Sequence, residues 1–225
     1  MKEFEGLVAL GRLMKTTSAT RGALIQLEEG VAYMVNEPKS ILLKLEFNEK
    51  LGTGTFYAGE APTVAEKVQR RDDKVLFEWR ERGKIRRLFV RDKPTFSEKA
   101  EGILEKYYAK PEVKVPVDFL DDLDKDILIT RVRVKGDEII TQQRRSDGTV
   151  MMENVVKLSR GLTEAENYPD SGEVSVFTQD LVVLKGFVRN PLYIALNENK
   201  PISVRGAFNF GAGFKGIIAF LVYEV

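Results

Sequence analysis

EVSVFTQDLVVLKGFVRNPLYIALNENKPISVRGAFNFGAGFKGIIAFLVYEV, residues 173–225, changes its structural period twice. Within it, residues 178–189 place Leu181, Leu184, Phe187 and Val188 at helical spacing. Thr178 can cap the start of that helix, and Asn190-Pro191 ends it, because proline disfavours helix at the residue before it. Residues 192–196 and 202–208 then read as strands around the polar turn at 197–200. GAFNFGAG at 206–213 is a loose turn, and 216–225 is a β-rich closing strand.

The rest of the chain repeats this vocabulary. Residues 1–15 form an amphipathic helix with Phe4, Leu7, Val8, Gly11 and Met14 on one face. A hairpin at 23–27 and 31–35 turns at Glu28-Glu29-Gly30, and a third strand spans 40–47. A short strand at 56–58 follows Gly52-Thr53-Gly54-Thr55, which lacks the Gly-Lys-Ser/Thr ending of a phosphate-binding loop and reads as a plain turn. Residues 62–71 predict a second helix opened by Pro62, with Val64, Ala65 and Val68 inward and Lys67, Arg70 and Arg71 outward. A hairpin at 74–79 and 84–91 completes the first half. Residues 94–116 break the strand rhythm and read as a connector, helical in part over 97–108. A third helix at 117–125 and strands at 127–134, 138–143 and 148–158 open the second half. One plan therefore occurs twice: helix, three strands, loop, short helix, hairpin. The implied domains are 1–93 and 117–225, joined by the connector 94–116, in an α+β class with antiparallel sheets.

Composition narrows the function. The chain has 225 residues, 43% hydrophobic and 31% charged, with no Cys and no His. Disulfides and thiolate metal sites are excluded, and so are the commonest general base and the commonest metal ligand. Apolar runs are far shorter than a membrane span, and no secretory leader pattern opens the sequence. High charge without Cys leans towards a thermophilic source. Net charge is +1; residues 1–112 hold 21 basic and 18 acidic side chains, and the remainder 14 and 16. A protein that grips DNA through phosphates is usually far more basic. A ring that encloses DNA needs only a basic lining.

The order of elements resembles that of DNA sliding clamps of the proliferating cell nuclear antigen type. The resemblance rests on the short helix with Leu184-Lys185-Gly186-Phe187, the hairpin with Asn199-Lys200-Pro201-Ile202, the apolar closing strand, and the helix, strand, Glu-Glu-Gly turn, strand order at the N-terminus. It implies the DNA-clamp fold: two similar domains, each of two βαβββ units, with helices lining a ring and sheets outside. Three such chains would close a homotrimer around duplex DNA, without sequence preference, and serve as a processivity factor for a DNA polymerase after placement by a clamp loader. No cofactor, metal or membrane is implied. The location would be the nucleoid in the cytoplasm, or the nucleus in a eukaryote.

By position, the resemblance implies three sets of residues. Phosphate contacts would come from Arg12, Lys15, Lys67, Arg70, Arg71, Lys185 and Arg189, the last two one helical turn apart. Subunits would pair along edge strands carrying Arg86, Leu88 and Val90 on one side and Val150, Met152 and Val155 on the other. A partner peptide would dock in a groove formed by Met34, Ile41, Leu43, Phe96, Pro201, Leu221 and Tyr223. Each set has a plainer alternative: solvated helix faces, ordinary members of closed sheets, and core packing. Asp118, Asp121, Asp122 and Asp124 on the third helix would repel phosphate, and their spacing does not follow a calcium-binding loop. An enzyme, a non-DNA adaptor of repeated α+β units, and a subunit of a heteromeric ring stay open as other readings.

Overall fold

The computed structural model describes residues 2–14, 21–109, 112–158, 173–197 and 200–218. The chain divides into two compact units, residues 1–102 with 210–214, and residues 103–209 with 215–225. The boundary falls inside the segment that reads as a connector.

In the first unit, helix α1 (Lys2–Leu13) lies on a sheet in the order β4-β1-β2-β3, made from Leu24–Glu28 (β1), Val31–Val35 (β2), Ile41–Glu46 (β3) and Gly54–Tyr57 (β4). A separate three-stranded sheet runs β5-β6-β7, from Lys67–Arg71, Lys74–Glu81 and Lys84–Arg91. Phe4, Phe56 and Phe77 join α1, β4 and β6 in one core, with ring centroids 4.9–6.5 Å apart. All three are fully buried. Each contributes roughly 1.5–3 kcal/mol by leaving water. Two local devices set the strand geometry. Arg82 and Gly83 both take positive φ (49° and 76°), the two-residue turn that matches the twist of a tight hairpin. Gly52 has φ of 105°, and a Cβ there would sit 1.9 Å from the Val68 carbonyl, so only glycine lets the chain pass β5.

Helix α2 (Ser97–Tyr107) is the helical part of the connector. Gln26 fixes its start: the side-chain oxygen accepts the N–H groups of Phe96 (2.5 Å) and Ser97 (2.9 Å), which a helix otherwise leaves unsatisfied. Glu101, one turn on, accepts from Tyr33 Oη at 2.5 Å and pairs with Lys44. Burial, then the Glu101 hydrogen bond, pushes the Tyr33 hydroxyl above the ordinary phenol range, so it stays a donor.

The second unit holds a sheet in the order β11-β10-β9-β12 and a second group in the order β15-β14-β13-β8. Their strands are Val113–Val115 (β8), Ile129–Lys135 (β9), Glu138–Arg144 (β10), Val150–Lys157 (β11), Val174–Phe177 (β12), Val188–Ala195 (β13), Ile202–Phe208 (β14) and Gly213–Ile218 (β15). Helix α3 (Thr178–Lys185) is tied to β9 by a buried Thr130–Thr178 hydroxyl bond of 2.8 Å. Glu112 accepts hydrogen bonds from Tyr108 and, with both oxygens, from Arg205, whose guanidinium lies 4.1 Å from the Tyr193 ring centroid.

Two expected helices do not form. Residues 62–71 give a loop and then strand β5. The Ala61 carbonyl, which would accept the first helical bond from Ala65, accepts from Arg12 instead at 2.7 Å. Strand β6 then captures the segment residue by residue, from Lys67 opposite Glu78 to Arg71 opposite Lys74. Residues 117–125 give only one 3-10 turn, Val117–Leu120. Asp121 leaves that turn extended, and Asp122 is left-handed at φ of 57°. Gln143 then holds the Asp124 backbone at both N–H and C=O, while the Asp124 carboxylate accepts the Asp126 N–H. Aspartates bond their own backbone and so compete with helix. Strand β12, before α3, is an element that the periodicity does not announce.

Candidate nucleic-acid and subunit interfaces

Three of the seven cations assigned to phosphate contact, Arg12, Arg70 and Lys185, have other work. Arg12 sits on α1, but its guanidinium is spent on the carbonyls of Ala58 (3.2 Å) and Ala61 (2.7 Å) and on Thr63 Oγ1 (3.2 Å). Arg70 is on a strand, on the face shared with Val75, and pairs with Asp92 at 2.5 Å while donating to Thr55 Oγ1 at 3.1 Å. Lys185 ends α3 and pairs with Asp121 at 2.7 Å. Arg189 is exposed but lies on β13 opposite Ala207, not on α3, because the helix closes at Gly186. Lys67 and Arg71 are exposed on β5, on the face opposite Arg70. Lys15 lies outside the described residues. The seven positions therefore do not share a helical surface: two sit on α1 and α3 and are bonded internally, and four sit on strands.

The groove positions are corrected more firmly. Met34 and Leu43 are directly opposite each other on β2 and β3, and both are buried. A Cβ added to Gly11 of α1 would lie 3.6 Å from the Met34 terminal carbon, so this face is the core under α1. Ile41 alternates onto the same face as Leu43 and is buried as well. These three residues do not line a surface slot. Pro201 is buried and Phe96 half-buried; Leu221 and Tyr223 lie outside the described residues. The other face of β1-β2-β3, with Gln26, Tyr33 and Lys44 in register, is where the start of α2 is fastened. The connector thus fastens the first turn of a helix to that face.

The two edge strands stand where the sequence puts them. Strand β7 pairs only with β6, and β11 only with β10, among the described residues. Both carry exposed apolar side chains: Ile85 and Phe89 on β7; Val150, Met151, Met152 and Val155 on β11. Leu88 and Val90 are half-buried, and Arg86 bonds Glu81 at 3.1 Å. A β-bulge between Gln143 and Arg144 in the β10–β11 pairing leaves Met151 unpaired. Unpaired N–H and C=O groups along such strands are templates for another strand.

No group of three or more possible metal-ligating side chains occurs among the described residues. The acidic segment after the 3-10 turn is used internally: Asp121 holds Lys185, and Asp124 bonds Asp126.

Two α+β units, one closed by an edge strand just before a connector and the other presenting an edge strand of its own, define the DNA-clamp fold. Solved structures bear this out over nearly the whole chain. The fold is similar to that in the PCNA2–PCNA3 complex from Sulfolobus tokodaii, with TM-score 0.59, 10% identity and 96% of each chain covered. It is equally similar to Proliferating Cellular Nuclear Antigen from Entamoeba histolytica, with TM-score 0.59, 13% identity, and 97% of this chain and 94% of that one covered. No protein-family model matches the sequence, and no curated protein matches it.

Proposed function

We propose that the chain is one subunit of a closed ring that encircles duplex DNA and tethers a DNA polymerase and other DNA enzymes to it. The observation that carries this reading is the pair of edge strands, β7 and β11, each paired on one side only among the described residues, on a chain that has the clamp fold over almost its full length. Pairing β7 of one chain with β11 of the next is a head-to-tail contact, and such contacts build rings when the rotation closes. Three chains of two domains each make a homotrimer. Retention is topological, so strong phosphate contacts are unnecessary, which fits internally bonded Arg12, Arg70 and Lys185. The subunit has no chemistry to perform in this reading and acts as a scaffold that a clamp loader places on DNA, in the nucleoid or, in a eukaryote, the nucleus.

One observation favours a heteromeric ring as the second reading. Strand β7 carries Lys84, Arg86, Arg87 and Arg91, whereas β11 offers Glu153 as its one carboxylate. A more acidic edge on a different chain would complement β7 better.

Retention on DNA with controlled ends tests the topology. At protein concentrations that let rings thread onto free ends, the protein is expected to persist on a duplex whose ends are blocked after threading and to run off one with an open end. Equal retention on both would contradict encirclement.

A further inference from the structure

The sheet β5-β6-β7 has a second face, and the segment that builds it is rich in cations. Residues 66–93 hold eleven Lys and Arg against six Asp and Glu, although the whole chain is only +1. Alternation sends Val68, Val75 and Phe77 to the core with α1. The opposite face is read from the register. Arg71, Lys74 and Arg91 lie directly opposite one another on three neighbouring strands, and all three are exposed. None forms an ion pair among the described residues, even with Asp72 and Asp73 in the adjoining turn. Like charges directly opposite across strands are destabilising. A polyanion bound across this row would relieve that repulsion. The next row holds Gln69, Leu76 and Phe89; Leu76 at its centre is buried, whereas Phe89 on the edge strand is 52% exposed. In the third row Glu78 neutralises Arg87 at 2.8 Å, leaving Lys67 as a further exposed cation.

A row of exposed cations outside any ion pair, beside an exposed aromatic residue, suits a single nucleic-acid strand: cations take the phosphates, and the ring takes a base face. Duplex DNA hides its base faces in the stack, so Phe89 adds nothing for it. A protein with acidic side chains would satisfy the cations and leave the ring without a stacking partner. We infer that this sheet face, led by Arg71, Lys74, Arg91 and Phe89, is a binding platform for single-stranded nucleic acid, separate from any duplex held inside a ring. The site lies within one unit of one chain and needs neither ring closure nor loading, so it stands or falls apart from the proposed function.

The test is fluorescence anisotropy of the full chain with a labelled thymidine oligonucleotide of about 20 residues and with a duplex of equal length, over a salt series. Combined Arg71→Gln, Lys74→Gln and Arg91→Gln is expected to weaken single-strand binding at least tenfold at low salt. Loss of three phosphate contacts should also flatten the slope of log affinity against log salt by about 2. Phe89→Ala is expected to weaken the single strand roughly tenfold, in the range of losing one stacked base, and to leave the duplex unchanged. Lys185→Gln with Arg189→Gln is the control and should leave single-strand binding intact. Should the triple variant fold poorly, Lys74→Gln alone, with an expected loss of several-fold, carries the test. The inference is overturned if the triple variant binds like the parent, if Phe89→Ala weakens both ligands equally, or if poly-glutamate displaces the oligonucleotide as well as unlabelled oligonucleotide does.

Discussion

Replacing Arg70 with Ala separates two accounts of that residue. On the helix that the sequence predicts, Arg70 points to solvent and towards phosphate, and its loss lowers DNA affinity with little effect on stability. In the structure its guanidinium lies 2.5 Å from Asp92, whose side chain is 13% exposed, and 3.1 Å from Thr55 Oγ1. Truncation leaves the Asp92 carboxylate with the Thr55 N–H at 2.8 Å. Breaking a fully buried ion pair costs about 3–5 kcal/mol, and hydrogen bonds to charged groups contribute about 1.5–3 kcal/mol. Because the Arg70 side chain is 36% exposed and partly screened by solvent, the lower end applies, about 2 kcal/mol. The assay is urea unfolding followed by tryptophan fluorescence. Trp79 is the single tryptophan and lies on β6, so the signal reports the first unit. A cycle with Asp92→Asn should give a coupling energy of at least about 1 kcal/mol, as for residues in one network. An unchanged midpoint for Arg70→Ala, together with a loss of duplex affinity, would refute this reasoning and restore the helical reading.

Three further outcomes follow from the same geometry. Phe77→Ala removes the centre of the Phe4–Phe56–Phe77 cluster and is expected to destabilise the first unit by about 3–5 kcal/mol in the same urea assay. Glu112→Gln weakens the bonds to Tyr108 and Arg205 and should raise amide exchange along 112–115, at a cost of about 1–3 kcal/mol, while unchanged exchange would show that the carboxylate is not the fastening. Val155→Asp on the exposed edge β11 should shift unfolding by no more than about 0.5 kcal/mol, as surface changes do, yet reduce self-association sharply; retained association would remove β11 from the interface.

The sequence was most legible where one face of a strand is wet and the turn chemistry is explicit. The hairpins at Glu28-Glu29-Gly30 and Arg82-Gly83, the edge strands β7 and β11, and helices α1, α2 and α3 all stand within a few residues of their expected places. The helices at 62–71 and 117–125 were misread for a shared reason. Their short apolar patterns fit a helix, but the deciding bonds come from residues far along the chain: Arg12 to Ala61, Asp92 to Arg70, and Gln143 to Asp124. The site suffered from the same blindness. Charge type is visible in sequence, but whether a cation is free or already bonded is not. That is why Arg12 and Arg70 read as phosphate contacts, while the row Arg71–Lys74–Arg91 emerged only from strand register. Met34, Ile41 and Leu43 are apolar near a connector, and only the packing against α1 distinguishes core from groove.

The central claim is that β7 and β11 close a ring of three identical chains. Light scattering across a dilution series measures it most directly. The account predicts a molar mass near three times 25.5 kDa that Val155→Asp reduces towards the single chain. A stable monomer or dimer at every concentration would contradict self-closure, the dimer most sharply, since two chains supply only four domains and leave an edge strand open at each end.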